Sequence, residues 1–224
     1  MHLSIIIPVL NEEKVIGSSL KKLQWVRQLG HEVIVVDGGS HDKSVTLSEP
    51  LASRVVSSPP GRALQMNLGA KSATGDVLLF LHVDTLLPND AVTALEQCMS
   101  DGLSCWGRFD VRLSGRHILF RIIERMMNWR SRLTGIATGD QAIFISRDLF
   151  ERLDGYADIP LMEDVDISRR LRAYRKPIFF QQKVITSSRR WEQSGICKTV
   201  WLMWRLRLAF WLGYDPAELA KRYR

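Results

Sequence analysis

Asp84 closes the apolar run of residues 77–83, and a second acidic pair, Glu163-Asp164, stands where a helical segment begins much later in the chain. A carboxylate at the end of a buried strand can hold a hard divalent cation. One in the first turn of a helix is kept ionised by the helix dipole and can accept a proton. These two acids in these two settings point to group transfer from a metal-bound diphosphate. Two strand-then-polar-turn units precede Asp84, namely residues 5–13 and 33–40. In open α/β sheets, ligands gather where strands end.

The elements that must position these groups follow from periodicity and punctuation. Strands are predicted at 3–9, 32–36, near 54–56, 77–83, 106–112 and 142–145, with a last short one at Phe179-Phe180. The run 32–36 is apolar throughout, as in a strand covered on both faces. Asn11 is read as a helix cap with Glu12 and Glu13 in the first turn. Further helices are predicted at 62–73, 89–101, 116–132, from Ser146 to Gly155, at 163–174 and at 196–212. Strands alternating with helices give an α/β fold with a mostly parallel sheet flanked by helices, ending in C-terminal helices.

The 224 residues fit one domain with a sizeable core, and 46% hydrophobic with 25% charged residues excludes a disordered chain. Cys98, Cys105 and Cys197 have no metal-like spacing, so reduced buried thiols are expected. Residues 1–10 do not read as a signal peptide, because a basic start is missing and Pro8 breaks the apolar run. A cytoplasmic protein is therefore expected. Charge is uneven: residues 1–100 carry 8 Lys+Arg against 10 Asp+Glu, and residues 101–224 carry 23 against 14. No helix-turn-helix, zinc or ribonucleoprotein pattern accompanies the basic half, so nucleic acid is not expected as its partner. The segments 116–132 and 199–214 interleave Arg with Trp, Met, Phe and Leu, and the second falls short of the roughly 20 apolar residues that span a bilayer. Both suit either an anionic membrane surface, at the inner face, or packing on the sheet or in a homodimer.

Ser4-Ile5-Ile6-Ile7-Pro8-Val9-Leu10-Asn11-Glu12, then Val35-Val36-Asp37-Gly38-Gly39-Ser40-His41-Asp42, Gly75-Asp76, Leu81-His82-Val83-Asp84-Thr85 and Glu163-Asp164 resemble, in order and spacing, glycosyltransferase family 2 enzymes of the GT-A fold. The segments 61–70, 79–85, 138–141 and 186–191 are most similar to the small arsenosugar-biosynthesis or radical-SAM/selenodomain-associated branch. The resemblance implies a Rossmann-like nucleotide-diphospho-sugar transferase with a donor half at about 1–105 and an acceptor half at about 106–224. It implies Pro8, Glu12, Asp37, Arg62 and His82 around the nucleotide, and Asp84 on Mg²⁺ or Mn²⁺. Asp164 would be the catalytic base, with Glu163 orienting it or sharing its role. Gly139, Asp140 and Gln141 would lie over the acceptor, and Arg189, Arg190 and Trp191 would offer guanidinium donors and an aromatic face. The chain departs from the family at His82, where Asp-x-Asp is usual, and at Gly38, where a second acid is usual.

The resulting expectation is an inverting hexosyltransferase that uses a nucleotide-sugar donor and a small-molecule or lipid-linked hydroxyl acceptor. A nucleotidyltransferase of related fold is the enzymatic alternative, although Val9-Leu10-Asn11-Glu12 is not a Gly-rich, Lys-containing phosphate loop. The non-catalytic alternative is a membrane-associated binding protein of the same fold.

Overall fold

The structure, a computed structural model, describes residues 1–100, 102 and 104–223. The elements run β1 (Leu3–Val9), α1 (Ile16–Lys22), α2 (Gln24–Gln28), β2 (Glu32–Asp37), α3 (Ser44–Ser48), β3 (Arg54–Ser57), α4 (Arg62–Ser72), β4 (Val77–Phe80) and α5 (Ala91–Met99). They continue with β5 (Trp106–Leu113), α6 (Ile118–Thr134), a 3-10 turn (Gly139–Gln141), β6 (Ile143–Ser146), α7 (Arg147–Arg152), α8 (Glu163–Tyr174), β7 (Ile178–Thr186), α9 (Arg189–Ser194), α10 (Ile196–Trp211) and α11 (Pro216–Tyr223). All seven strands join one sheet in the order β3-β2-β1-β4-β6-β5-β7. Only β6 runs against the others.

This order creates a switch point. From β1 the chain winds outward through β2 and β3, then returns to lay β4 on the other side of β1. The crevice outside the ends of β1 and β4 is where such a sheet receives a ligand. Two apolar layers hold the sheet. One face packs Ile5, Ile7, Val33, Leu79, Phe109 and Phe144 under α1 and α5, and the other packs Ile6, Ile34, Leu78 and Ile145 under α4 and α8. Alternate residues of one strand thus serve opposite layers.

The sequence-based elements need four adjustments. Asn11 is no helix cap: it takes φ 54, a conformation Asn tolerates, and α1 begins only at Ile16. Glu12 and Glu13 instead belong to a loop stapled to the next one, with Asn11 N–H donating to Ser40 Oγ, Glu12 N–H to Ser44 Oγ and Glu13 N–H to Asp42 Oδ2. Strand β4 stops at Phe80 rather than 83, because its neighbour β6 starts opposite Phe80. Strand β7 is nine residues long rather than two, its polar Gln181, Gln182 and Lys183 being compatible with a sheet edge. Helices α3, α9 and α11 were not foreseen, and residue 101, the expected end of the helix begun at 89, lies outside the described residues.

Candidate functional site

Four chain segments meet at the crevice, and side chains, not strand ladders, fix their positions. Gln65 of α4 is buried and donates from Nε2 to Val9 O at 2.9 Å and to Val36 O at 2.8 Å, joining the ends of β1 and β2. A Cβ at Gly38 would lie 3.0 Å from the Gln65 amide. The family's second acid is thus replaced by Gly38 next to a side chain that occupies its room. Asp37, 4% exposed, accepts from Gly39 and Ser40 N–H through Oδ2, while its buried Oδ1 has no partner among the described residues.

After β4 the residues His82 to Thr85 form a turn closed by Thr85 N–H to His82 O at 3.0 Å. Thr85 Oγ1 meets Thr186 Oγ1 at 2.9 Å, and Leu86 bridges Ile185. The turn that carries Asp84 is thereby locked to the end of β7, and three residues farther on Arg189 opens α9. Arg189 lies 3.7 Å from Glu12. Burial raises the pKa of both Asp84 and Glu12, and in each case the Arg189 charge opposes the shift.

The acidic pair of α8 faces this turn across the cleft. Met162, at φ 69, redirects the chain so that Glu163 and Asp164 open the helix over the sheet edge. Asp164 Oδ2 accepts from Gly139 N–H at 2.9 Å and Oδ1 from Val165 N–H at 2.7 Å. A Cβ at Gly139 would come within 2.5 Å of His82 Nε2, so only glycine lets the imidazole and the Asp164 carboxylate share this corner. Glu163 is buried 3.6 Å from the Arg62 guanidinium. Burial and then Asp164 push its pKa up to about 7, against the pull of Arg62. Burial, reinforced by Arg62, holds the His82 pKa well below its usual value, so the ring is neutral.

The structure gathers Glu12, Arg62, His82, Asp84, Gly139, Asp140, Glu163, Asp164, Arg189, Arg190 and Trp191 around one cleft of about 340 Å³. Pro8 lines a small recess beneath it with Tyr156 and Met66. Gln141 does not face the cleft. It is fully buried and caps the 3-10 turn, its Oε1 accepting from Thr138 N–H and its Nε2 donating to Asn128 Oδ1 at 3.4 Å. Arg190 is turned to the C-terminus, donating to Tyr223 O at 3.0 Å and stacking 3.8 Å over the Tyr223 ring. Trp191 also packs on the main core. Gly75 and Asp76, part of the motif set, sit at the opposite end of the sheet, where Asp76 Oδ2 accepts from His2 N–H. Sequence reasoning missed Gln65, and it missed the cleft wall formed by Thr199, Met203 and Arg207 of α10. Gln65 lies one helical turn after Arg62, whereas the α10 residues carry no motif.

Acids and arginines thus converge at the switch point of an α/β sheet, and comparison with known proteins identifies the family. Residues 4–153 match Glycosyl transferase family 2, and the chain belongs to that family. It is 28% identical over 228 residues to the probable glycosyltransferase YdaM of Bacillus subtilis, covering 91% of this chain and 53% of YdaM. To the undecaprenyl-phosphate 4-deoxy-4-formamido-L-arabinose transferase of Pectobacterium atrosepticum it is 30% identical over 131 residues, covering 54% and 39%. The chain thus spans about half or less of these relatives. Among solved structures, Staphylococcus aureus TarS residues 1–349 in complex with UDP-GlcNAc superposes with a TM-score of 0.68 at 18% identity, covering 84% and 58% of the two chains. The mannosyltransferase PcManGT of Pyrobaculum calidifontis, in complex with GDP-Man and Mn²⁺, gives 0.65 at 20% identity, covering 93% and 61%. The GT-A fold is therefore shared.

Glu163 yields a pH prediction. Because its folded pKa is raised, its contribution to stability is fully present below pH 4.5 and is lost as pH rises through about 7. Glu163→Gln, which cannot ionise, should match the wild-type Tm near pH 4 and exceed it at pH 8. A constant offset across the whole range would show that Glu163 does not titrate in this window.

Proposed function

We propose that this glycosyltransferase moves a hexose from a nucleotide-diphosphate sugar to a hydroxyl acceptor by a single inverting displacement assisted by Mg²⁺ or Mn²⁺. The observation that carries the proposal is the convergence of Asp84, Arg62 and Arg189 with Asp164 in one cleft at the sheet's switch point. The acceptor oxygen attacks the anomeric carbon as its bond to the diphosphate breaks, and the hydroxyl proton passes to Asp164. Both Asp164 oxygens are fixed by backbone N–H groups, which orients the carboxylate for that task. Arg62 and Arg189 face the diphosphate, whereas Asp37, its unpartnered Oδ1 buried, lines neither the cleft nor the recess and would flank the nucleoside from beneath the loop. Glu163, held beside Arg62, keeps that guanidinium in position. The neutral His82 stands in place of the family's first acid, which commonly contacts the ribose.

The residues present fit a divalent ion that bridges substrate. Among the described residues no group of three or more His, Cys, Asp or Glu could hold a metal alone. Asp84, in the cleft with its charge disfavoured by burial, would supply one carboxylate, and the diphosphate and water the remaining ligands. Such an ion, when bound, offsets the charge that gathers on the leaving diphosphate.

A lipid-linked acceptor at the inner membrane face is the partner that the surface supports. On α6 the exposed residues Ile118, Ile122, Met126, Trp129 and Leu133 recur at helical spacing, and on α10 so do Trp201, Trp204, Leu208 and Trp211. No acidic residue interrupts α10, and Arg205 stacks 4.4 Å over Trp201. Among the described residues no helix is long and apolar enough to cross a membrane, so the face would lie in the interface. Several relatives are named for undecaprenyl phosphate. The motifs at 61–70, 138–141 and 186–191 additionally support the arsenosugar-biosynthesis or selenodomain-associated branch.

Three experiments test this reading. In calorimetric titrations, UDP or GDP should bind more tightly with Mn²⁺, and Asp84→Ala should abolish the enhancement; a variant that retains it removes Asp84 from the metal site. Asp164→Asn should lower turnover by roughly 10²–10⁴ with donor affinity nearly unchanged. Wild-type turnover in that variant would reassign the base. The protein should cosediment with anionic vesicles, less so at high salt, and the double substitution Trp204→Ser, Trp211→Ser should release it. Equal binding to neutral vesicles, with a dimer in solution, would instead make this face a contact between two copies.

A further inference from the structure

One guanidinium lines the cleft and a second lies buried with unmet donors, and among the described residues no carboxylate forms an ion pair with either. Arg207 lines the cleft wall, one helical turn after Met203 and two after Thr199, and no ion pair engages it among the described residues. Arg130 of α6 has Nε and one terminal nitrogen buried without a hydrogen-bond partner, and its other terminal nitrogen reaches only Ile136 O at 3.5 Å. Burial, and next the Arg207 charge, bring the Arg130 pKa down to about 10. Asp140 and Asp164 offset part of that effect, yet neither forms an ion pair with Arg130.

The contrast with Arg108 shows how unusual this is for the molecule. Arg108 is fully buried under the same helix, and it is paired with Asp110, bonded to Ser131 Oγ and Asn128 O, and stacked 5.0 Å from the Phe179 ring. The fold can satisfy a buried guanidinium, and at Arg130 it does not. Leaving buried donors unmet and two like charges adjacent costs stability. An anion between or beside them would remove both penalties, and the planar guanidinium fork matches a phosphate.

We propose that Arg207, backed by Arg130, is the subsite for a phosphate group carried by the acceptor, held so that the acceptor's reacting oxygen lies at Asp164. The assignment rests on the reading of the cleft as the transfer site. The phosphate belongs either to a lipid headgroup or to a free phosphorylated acceptor.

The test is calorimetric titration of wild type, Arg207→Gln and Arg207→Lys at fixed ionic strength. The probes are inorganic phosphate, a short-chain prenyl phosphate and the corresponding prenyl alcohol, with UDP titrated separately. The phosphate probes should bind wild type and weaken about tenfold or more in Arg207→Gln, the loss expected for a charge-assisted hydrogen bond. Arg207→Lys should fall between, and UDP affinity should not change among the three. In phosphate-free buffer Arg207→Gln should have a higher Tm than wild type, because a charge repulsion has been removed. Tighter binding of prenyl phosphate than of inorganic phosphate assigns the group to a lipid, and equal binding assigns it to a free acceptor. The proposal is overturned if phosphate binds wild type and Arg207→Gln alike, if the alcohol binds as well as the prenyl phosphate, or if Arg207→Gln is the less stable protein without ligand. Failure of wild type to bind UDP would sink the transferase reading while leaving the arginine comparison interpretable.

Discussion

Where parallel strands diverge at the end of a sheet, their backbone carbonyls and amides lose their ladder partners, and a buried backbone group without a partner is costly. This constraint organises the whole C-terminal edge of the sheet. Gln65 answers it for Val9 and Val36. Farther along, β5 pairs with β6 only through Arg108, and α6 takes over: Asn128 bonds both Val111 N–H and O, and Glu124 accepts from Leu113 N–H.

The polar inner face of α6 is the clearest consequence. A helix covering a sheet normally buries an apolar stripe, yet α6 buries Glu124, Asn128 and Ser131 beside Phe120, Ile123 and Met127. Its polar residues serve the sheet edge and, through Asn128 and Gln141, the 3-10 turn that presents Gly139 to Asp164. The remaining apolar residues of the helix are then left on its outside. The same backbone constraint therefore bears both on the orientation of the proposed base and on the exposed stripe.

The electrostatics of the cleft follow from crowding charges at that edge. Burial raises the pKa of Glu12, Asp84 and Glu163, and the arginines at 62 and 189 oppose the shift. The site is therefore a set of mutually dependent charges, consistent with the anionic donor and cation proposed for it. Such a set is commonly less stable than an apolar packing of similar size, and perturbed charges of this kind cluster at functional sites.

The strand-end acids and the α/β order were legible in the sequence because an apolar run ending in a polar turn is a local signal. Asp84, and Glu163-Asp164 at the start of α8, needed no tertiary information. The full length of β7 was not legible, since an edge strand tolerates polar residues on its open side. Nor was the burial of Gln141, whose place was expected at the acceptor and whose actual partners, Thr138 and Asn128, include one that only the fold brings near. The replacement of an acid by Gly38 reads in sequence as a loss, whereas in space Gln65 fills the room. Above all, the hydrogen bond of Gly139 to Asp164 and the Coulomb repulsion between Arg130 and Arg207 join positions 25 and 77 residues apart with no periodic signature. The sequence alone determined which strands exist and where their acids end, because those depend on neighbours in the chain. Tertiary structure alone decided which of these groups share a charge environment, because Coulomb energy depends on distance in space.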